Sequence, residues 1–190
     1  MRRLFYKLMG FFVIVFLVVA GSVDTLNALE SSVTPLQAIF MMKQLIPQVQ
    51  TIGLMWNQRL VNTSDLLPKI ERAAGSIGVR VVIEDVEGIS EVPEKFRDLK
   101  DNRHVQAVWI IDESSPFNAP VAKEYLVKNA IVGGIALFAP NTDWVSAGAC
   151  TSLSTDGNTL RLYVNKKTIA ALGLNVPDKY LQHTEFFAAK

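Results

Sequence analysis

The residues best suited to chemistry are Asp112, Ser114 and Ser115, which follow an almost unbroken apolar run, Val105–Ile111. A carboxylate and two hydroxyls offer hydrogen-bond acceptors and donors, which suits recognition of a small polar molecule. A run this apolar and rich in β-branched residues is typical of a strand covered on both faces. Parallel strands place ligand-facing groups just past their carboxyl ends. The alternative is a polar loop in which Asp112 or Ser115 caps the next helix.

Polar residues follow other apolar runs in the same way. Asn57 and Ser64 come after the run Val49–Trp56, and Asp143 comes after Ile131–Phe138. Because the carboxyl ends of parallel strands meet at one edge of a sheet, we expect these groups to converge there. Any one of them alone is explained as a helix cap or a turn residue. The predicted ligand-binding residues are Asn57, Ser64, Asp112, Ser114, Ser115, Asp143, Ser154 and Asp156.

Helical and strand patterns alternate along the chain and would position these residues. Apolar residues spaced three and four apart predict helices, and continuous apolar runs predict strands. The predicted helices are Pro35–Ile46, one capped by Thr63 or Ser64, a short one opened by Pro93, Ala119–Lys128 and Lys166–Leu172. The predicted strands are Val49–Trp56, Val79–Ile83, Val105–Ile111, Ile131–Phe138 and Val145–Leu153. The alternation predicts an α/β fold, a single three-layer αβα lobe with a mostly parallel sheet.

Composition and motifs exclude several classes of function. The net charge of the 190 residues is +1 with no block of like charge, so nothing indicates a nucleic-acid partner. The two histidines and the single cysteine, Cys150, form no cluster at metal-ligand spacing, and a buried, packing role is expected for Cys150. No nucleophile elbow and no glycine-rich phosphate loop is present. We therefore expect no metal, no cofactor and no enzymatic activity.

The amino-terminal segment has the pattern of an export signal. Three basic residues precede an apolar stretch, Leu8–Ala20, and small residues follow it. We predict a signal peptide over residues 1–28, cleaved after Ser22 or Ala28, and a single lobe over residues 29–190 of a periplasmic or extracytoplasmic protein. The stretch is short for a membrane span, which needs about 20 apolar residues. The alternative is an uncleaved amino-terminal anchor, which would be the chain's one membrane contact.

Four segments carry a family resemblance. Gln44–Asn57 is similar to the motif LLPNAKTIGVLYN, and Val105–Asp112 falls where the family has DALYIPTD. Trp144–Ser154 is similar to LVESGALASLG, and Val164–Pro177 is similar to VNLKTAKKLGLTIP. Together they make Pro35–Pro177 resemble the second lobe of ABC-transporter substrate-binding proteins, in the group related to tryptophan- and tyrosine-binding proteins.

The resemblance implies a periplasmic-binding-protein-like lobe in which Asp112 contributes to ligand contact. Members of this family close two lobes over a ligand, whereas this chain has residues for one. Between Asp156 and Leu162 it also replaces the family's long returning helix by a tight turn at Gly157 and Asn158. We therefore expect weak binding of a small polar or amino-acid-like ligand, or binding completed by a partner chain or a homodimer. The alternative is a ligand-free interaction or scaffold domain that docks on an envelope protein.

Overall fold

The computed structural model describes residues 33–157 and 159–188. The predicted export signal over residues 1–28 lies outside these ranges. Within the described residues no helix is both long and apolar enough to cross a membrane.

The described residues alternate between helices and strands. The helices are α1 (Pro35–Leu45), α2 (Thr63–Ile77), α3 (Val92–Arg97), α4 (Pro120–Val132), α5 (Thr142–Ser146) and α6 (Lys166–Ala171). The strands are β1 (Thr51–Trp56), β2 (Arg80–Asp85), β3 (Ala107–Ile110), β4 (Ala136–Ala139), β5 (Thr151–Asp156), β6 (Thr159–Asn165) and β7 (Thr184–Phe187). Short 3-10 turns at Ile89–Glu91 and Asp178–His183 and a π turn at Asp98–Asn102 complete the order.

One sheet contains all seven of these strands, in the order β2-β1-β3-β4-β5-β6-β7. The pairs from β2 to β5 are parallel, β5 and β6 are antiparallel, and β7 runs parallel to β6. The carboxyl ends of β1 to β5 therefore share one edge of the sheet. The predicted mostly parallel α/β lobe is confirmed.

Helices cover the two faces of the sheet and bury two apolar cores. Along β1 the side chains of Ile52, Leu54 and Trp56 belong to one core, while Met55 belongs to the other. This alternation follows from the two-residue period of a strand. Residues of α1, α2 and α6 pack in the first core, and residues of α3, α4 and α5 pack in the second. The arrangement is the predicted three-layer αβα lobe.

Local sequence signals explain several helix ends. Thr34 accepts a hydrogen bond from the backbone of Gln37, whose side chain accepts from the Thr34 backbone N–H, which makes a capping box. Gly78 ends α2 with a φ of 74°, a conformation that glycine adopts without steric strain. The Asn165 side chain accepts from the Thr168 backbone N–H at 3.1 Å and caps α6, as the sequence predicted.

Two predicted strands were wrong in part. Helix α4 continues to Val132, so the strand predicted over Ile131–Phe138 is reduced to Ala136–Ala139. The strand predicted over Val145–Leu153 begins only at Thr151, because residues before it form α5. In both segments a short apolar run fits a buried helical turn as well as a strand. In the second segment Val145 is fully buried as part of α5.

The cap predicted for the second helix was also wrong. The position before α2 is Asn62, which makes no capping hydrogen bond through its side chain. Thr63 and Ser64 lie within the first turn of α2, and the Ser64 hydroxyl donates to Asn62 Oδ1 at 2.8 Å.

The hairpin formed by β5 and β6 projects past its neighbours. Ala139, the last residue of β4, pairs with Ser152, so β5 continues for four further residues to Asp156. At about 3.3 Å per residue, this end of β5 extends about 13 Å beyond β4. Strand β7 packs against β6 starting at Leu162, so the tail folds back onto the lobe as its last strand.

Candidate functional site

The crevice at the carboxyl ends of β1 and β3 is the candidate site. The helix after β1, α2, packs in one core, whereas the helix after β3, α4, packs in the core on the opposite face of the sheet. The two connections therefore leave the edge in opposite directions and open a gap between them. Ligands of open α/β sheets bind at such a point of divergence.

Asn57 connects the two sides of this gap. It directly follows β1 and is 6 % exposed. Its Nδ2 donates to the Ser115 carbonyl oxygen at 3.0 Å, and its Oδ1 accepts from the Arg59 backbone N–H at 3.1 Å. Because both ends of its amide are bonded, Asn57 fixes the loop after β3 relative to β1. Its role is to hold the two sides of the gap in place.

Asp112 is the first polar residue of the loop after β3. Its Oδ1 accepts a hydrogen bond from the Ser114 backbone N–H at 2.7 Å and another from the Ser114 hydroxyl. Its Oδ2 is withdrawn from solvent and accepts no hydrogen bond from the described residues. A buried acceptor without a donor is unfavourable, so Asp112 keeps one acceptor whose hydrogen-bonding capacity is unused among the described residues.

Glu113 is a residue of the site that the sequence reasoning did not select. Its Oε1 accepts from Lys123 Nζ at 2.9 Å and from Trp144 Nε1 at 3.0 Å, and its Oε2 accepts from Asn141 Nδ2 at 2.5 Å. Burial raises the pKa of Glu113, but the hydrogen bonds from Lys123, Asn141 and Trp144 and the charge of Lys123 lower that pKa below its usual range. The only sequence signal was an acidic residue at the polar end of a buried strand.

The structure brings together four of the eight predicted residues and separates the others. Asn57, Asp112, Ser114 and Ser115 lie at the gap. Ser64 and Asp143 are exposed in the first turns of α2 and α5. Trp144, which follows Asp143, is fully buried in a core and donates its indole N–H to Glu113.

Ser154 and Asp156 belong to the projecting hairpin. They lie within β5, whereas the sequence placed them in a loop after the last strand. The Ser154 hydroxyl donates to the Tyr163 hydroxyl at 3.3 Å, and Asp156 pairs with Arg161 at 3.0 Å. A shallow depression of about 400 Å³ adjoins them, bounded on the other side by Gln182–Glu185.

No metal or thiol chemistry is apparent within residues 33–157 and 159–188. These ranges contain no group of three or more His, Cys, Asp or Glu side chains that could hold a metal ion. Cys150 is fully buried, and burial raises the pKa of its thiol to about 12. The buried role expected for Cys150 is confirmed.

Comparison with known families gives a match over most of the chain. The family described as ABC transporter substrate binding protein matches residues 26–170. No curated protein sequence matches significantly.

Solved structures share the fold at low sequence identity. A conserved domain protein from Vibrio cholerae has a TM-score of 0.67 and 19 % identity, over 82 % of this chain and 61 % of that one. An ABC domain from Streptococcus pneumoniae in complex with L-Trp has a TM-score of 0.65 and 18 % identity, over 80 % of this chain and 60 % of that one. The ligand-free, open form of CD0873, a substrate-binding protein with adhesive properties from Clostridium difficile, has a TM-score of 0.64 and 17 % identity, over 81 % and 59 %. The chain thus spans about three fifths of the length of these structures.

Proposed function

The chain belongs to the ABC transporter substrate-binding proteins, and we propose that it binds a small polar or amino-acid-like ligand at the gap between β1 and β3. The observation that carries the proposal is Asp112 Oδ2, which is withdrawn from solvent and unbonded among the described residues. A ligand that offers an N–H donor would satisfy this oxygen, and a charge-assisted bond of that kind is about twice as strong as a neutral one. Ser114 and Ser115 lie beside it in the same loop.

The position of the site at one edge of a sheet favours a weak site or one that is completed by another chain. Small-molecule pockets bury about 70–90 % of their ligand, which one sheet edge cannot do alone. The solved relatives are longer than this chain, which spans about three fifths of their length. We propose that a partner protein or a second copy supplies the remaining surface.

The ligand class is proposed from chemistry and from one neighbour. The Streptococcus pneumoniae relative was solved with L-Trp. A carboxylate acceptor next to two hydroxyls suits the amino group of a free amino acid. Because proteins of this family are typically not enzymes, the proposed outcome of binding is capture of the ligand for transport.

A thermal-shift screen of free amino acids, including L-Trp, tests the proposal. Ligand at 100 times Kd adds about 2.7 kcal/mol to the free energy of unfolding, which raises Tm by about 5–10 °C in a domain of this size. We expect such a shift in the wild-type protein and a much smaller one in Asp112→Asn. The matched control is Asp101→Asn, since Asp101 is exposed and precedes β3 at the opposite edge of the sheet.

The outcomes separate ligand binding from the alternative. Absence of a shift with every amino acid at millimolar concentration, with or without a second chain, contradicts the proposal. An equal shift in wild type and Asp112→Asn contradicts the placement of the site. A protein that binds no ligand but forms a stable complex with an envelope protein supports the scaffold role instead.

The location of the protein is part of the proposal. Substrate-binding proteins of this family act outside the cytoplasm, and we propose that residues 1–28 direct export. Mass spectrometry of the intact protein recovered from the cell envelope measures the amino terminus directly. A mature chain that begins after Ser22 or Ala28 supports a cleaved signal, whereas a chain that retains its first residues supports the anchor.

A further inference from the structure

Glu113 stands beside Asp112 in the loop after β3 but has different partners. Among the described residues, the side chain of Asp112 bonds within its own loop, to Ser114. Glu113 accepts hydrogen bonds from Lys123 on α4, from Asn141 in the loop after β4, and from Trp144 on α5. One carboxylate therefore connects three segments that are 10, 28 and 31 residues away along the chain.

The partners of Glu113 are themselves well anchored. Trp144 is fully buried. The Lys123 ammonium lies 5.1 Å from the centre of the Trp144 ring, so it contacts both the carboxylate and the aromatic face. Asn141 uses its Oδ1 to accept from the Asp143 backbone N–H at 3.1 Å, which caps α5 and fixes the amide that reaches Glu113. The network thus ties the loop after β3 to a rigid part of the core.

We propose that Glu113 is a positioning residue of the ligand site. This inference rests on the proposed function, because it concerns how the Asp112 carboxylate is held for a ligand. With Glu113 bonded on one side of Ser114 and Asn57 holding the Ser115 carbonyl on the other, the first part of the loop after β3 is attached at two points. A loop held in this way does not have to be ordered when the ligand binds, which raises affinity without any contact to the ligand.

The substitution Glu113→Gln tests this role with little change in shape. Glutamine has one side-chain oxygen and a donor group, so at least one of the three donors loses its acceptor. We expect about a tenfold loss of ligand affinity by calorimetry, at a temperature where both proteins are fully folded. We also expect faster amide hydrogen exchange over residues 112–118 and 140–146 and unchanged exchange over the β5–β6 hairpin.

Two further variants distinguish positioning from a general structural effect. Glu124→Gln is the matched control, because Glu124 is exposed on α4 next to Lys123, and it should change neither affinity nor exchange. In the double variant with Asp112→Asn, Glu113→Gln should have no further effect on ligand affinity, since it acts through Asp112. Additive losses in the double variant contradict a role through Asp112.

The remaining outcomes keep this inference separate from the proposed function. Unchanged exchange over both loops in Glu113→Gln overturns the inference directly, whether or not a ligand is known. Faster exchange with unchanged affinity overturns it as well. If the wild-type protein binds no amino acid, both the proposed function and the positioning role are overturned. If the wild-type protein binds and Glu113→Gln binds with the same affinity, the positioning role alone is overturned.

Discussion

Two polar regions of the molecule lie at the same edge of the sheet, at the carboxyl ends of its parallel strands, but their hydrogen bonds differ in range. At the gap between β1 and β3, hydrogen bonds join residues far apart in sequence, by 58 positions for Asn57 to Ser115 and 28 for Asn141 to Glu113. On the β5–β6 hairpin the side-chain bonds are local, by 9 positions for Ser154 to Tyr163 and 5 for Arg161 to Asp156. The gap is also more buried than the hairpin.

The difference indicates which polar residues are available for a ligand. At the gap both ends of the Asn57 amide and Asp112 Oδ1 are bonded, whereas Asp112 Oδ2 accepts no hydrogen bond from the described residues. On the hairpin the Asp156–Arg161 pair is solvated, with side chains 71 % and 44 % exposed, and such pairs contribute little to stability. Residues that were equal candidates for ligand binding in the sequence therefore differ in the structure in whether a buried polar atom is left without a hydrogen bond.

The largest expected effect comes from replacing one phenylalanine beside each region with alanine. Phe117 lies in the loop after β3 and is fully buried, whereas Phe186 on β7, the strand paired with β6, is 38 % exposed. We expect Phe117→Ala to lower the free energy of unfolding by about 3–5 kcal/mol, because it leaves a cavity in the core. Phe186→Ala should lower it by about 1 kcal/mol, because its ring is only partly removed from water. Urea denaturation, analysed with one m-value for both variants, measures the two losses of unfolding free energy. Equal losses would contradict the predicted difference between Phe117 and Phe186.

An intermediate effect is expected from the bridging amide of the gap. Asn57→Ala leaves the Ser115 carbonyl and the Arg59 backbone N–H without their partner, which we expect to lower the free energy of unfolding by about 1–3 kcal/mol. Ser154→Ala is the hairpin counterpart, and its long 3.3 Å hydrogen bond should make the loss less than about 0.5 kcal/mol. Thermal and urea denaturation of the two variants give the comparison. Similar losses would show that the gap is no more tightly built than the hairpin.

The smallest expected effect is in the dependence of stability on pH. Because the pKa of Glu113 is lowered in the folded protein, its stabilising contribution is present above its unfolded pKa and is lost as pH falls through the folded value. The stability difference between wild type and Glu113→Gln should therefore shrink as pH decreases from about 5 toward 3. The pKa of Asp98 is lowered as well, chiefly by hydrogen bonds from Asn102 and Arg103, so the difference between variants is the quantity to measure.

The hairpin supplies the control for that measurement. Asp156→Asn removes an exposed ion pair, and we expect it to change the free energy of unfolding at neutral pH by less than about 0.5 kcal/mol. Urea denaturation at several pH values compares the two variants under the same conditions. A difference for Glu113→Gln that stays constant down to pH 3 would contradict an ionised, hydrogen-bonded Glu113.

Most of the fold could be predicted from periodicity, and the two strands that were wrong in part share one cause. The runs ending at Trp56 and Ile111 are long, contain β-branched residues and are followed by polar residues, so their strands were predicted within a few positions. Between Ile131 and Leu153 the apolar runs are short and broken by glycine, which fits a helix end or a strand equally well. There the core contacts of Val145 and Trp144 decide, and no local pattern encodes them.

Half of the predicted site residues lie together in the fold, although all eight were equal candidates in the sequence. Topology brings Asn57 and the loop after β3 together because β1 and β3 are neighbours in the sheet. Ser154 and Asp156 are carried away from that gap because β5 continues past β4 and turns back as β6. Glu113 was overlooked because its importance depends on Asn141 and Trp144, which are distant along the chain.

The sequence by itself determined the class of the fold and the position of Asp112 at the end of a buried strand. Both follow from local patterns, since strand and helix periods and the switch from apolar to polar residues are read over a few positions. Only the tertiary structure decided which polar residues are already bonded and which remain free. Asp112 and Glu113 are adjacent in the chain, yet one keeps an unbonded oxygen and the other accepts from three segments. Side chains of adjacent residues can point to different partners, and the partners are brought near only by folding.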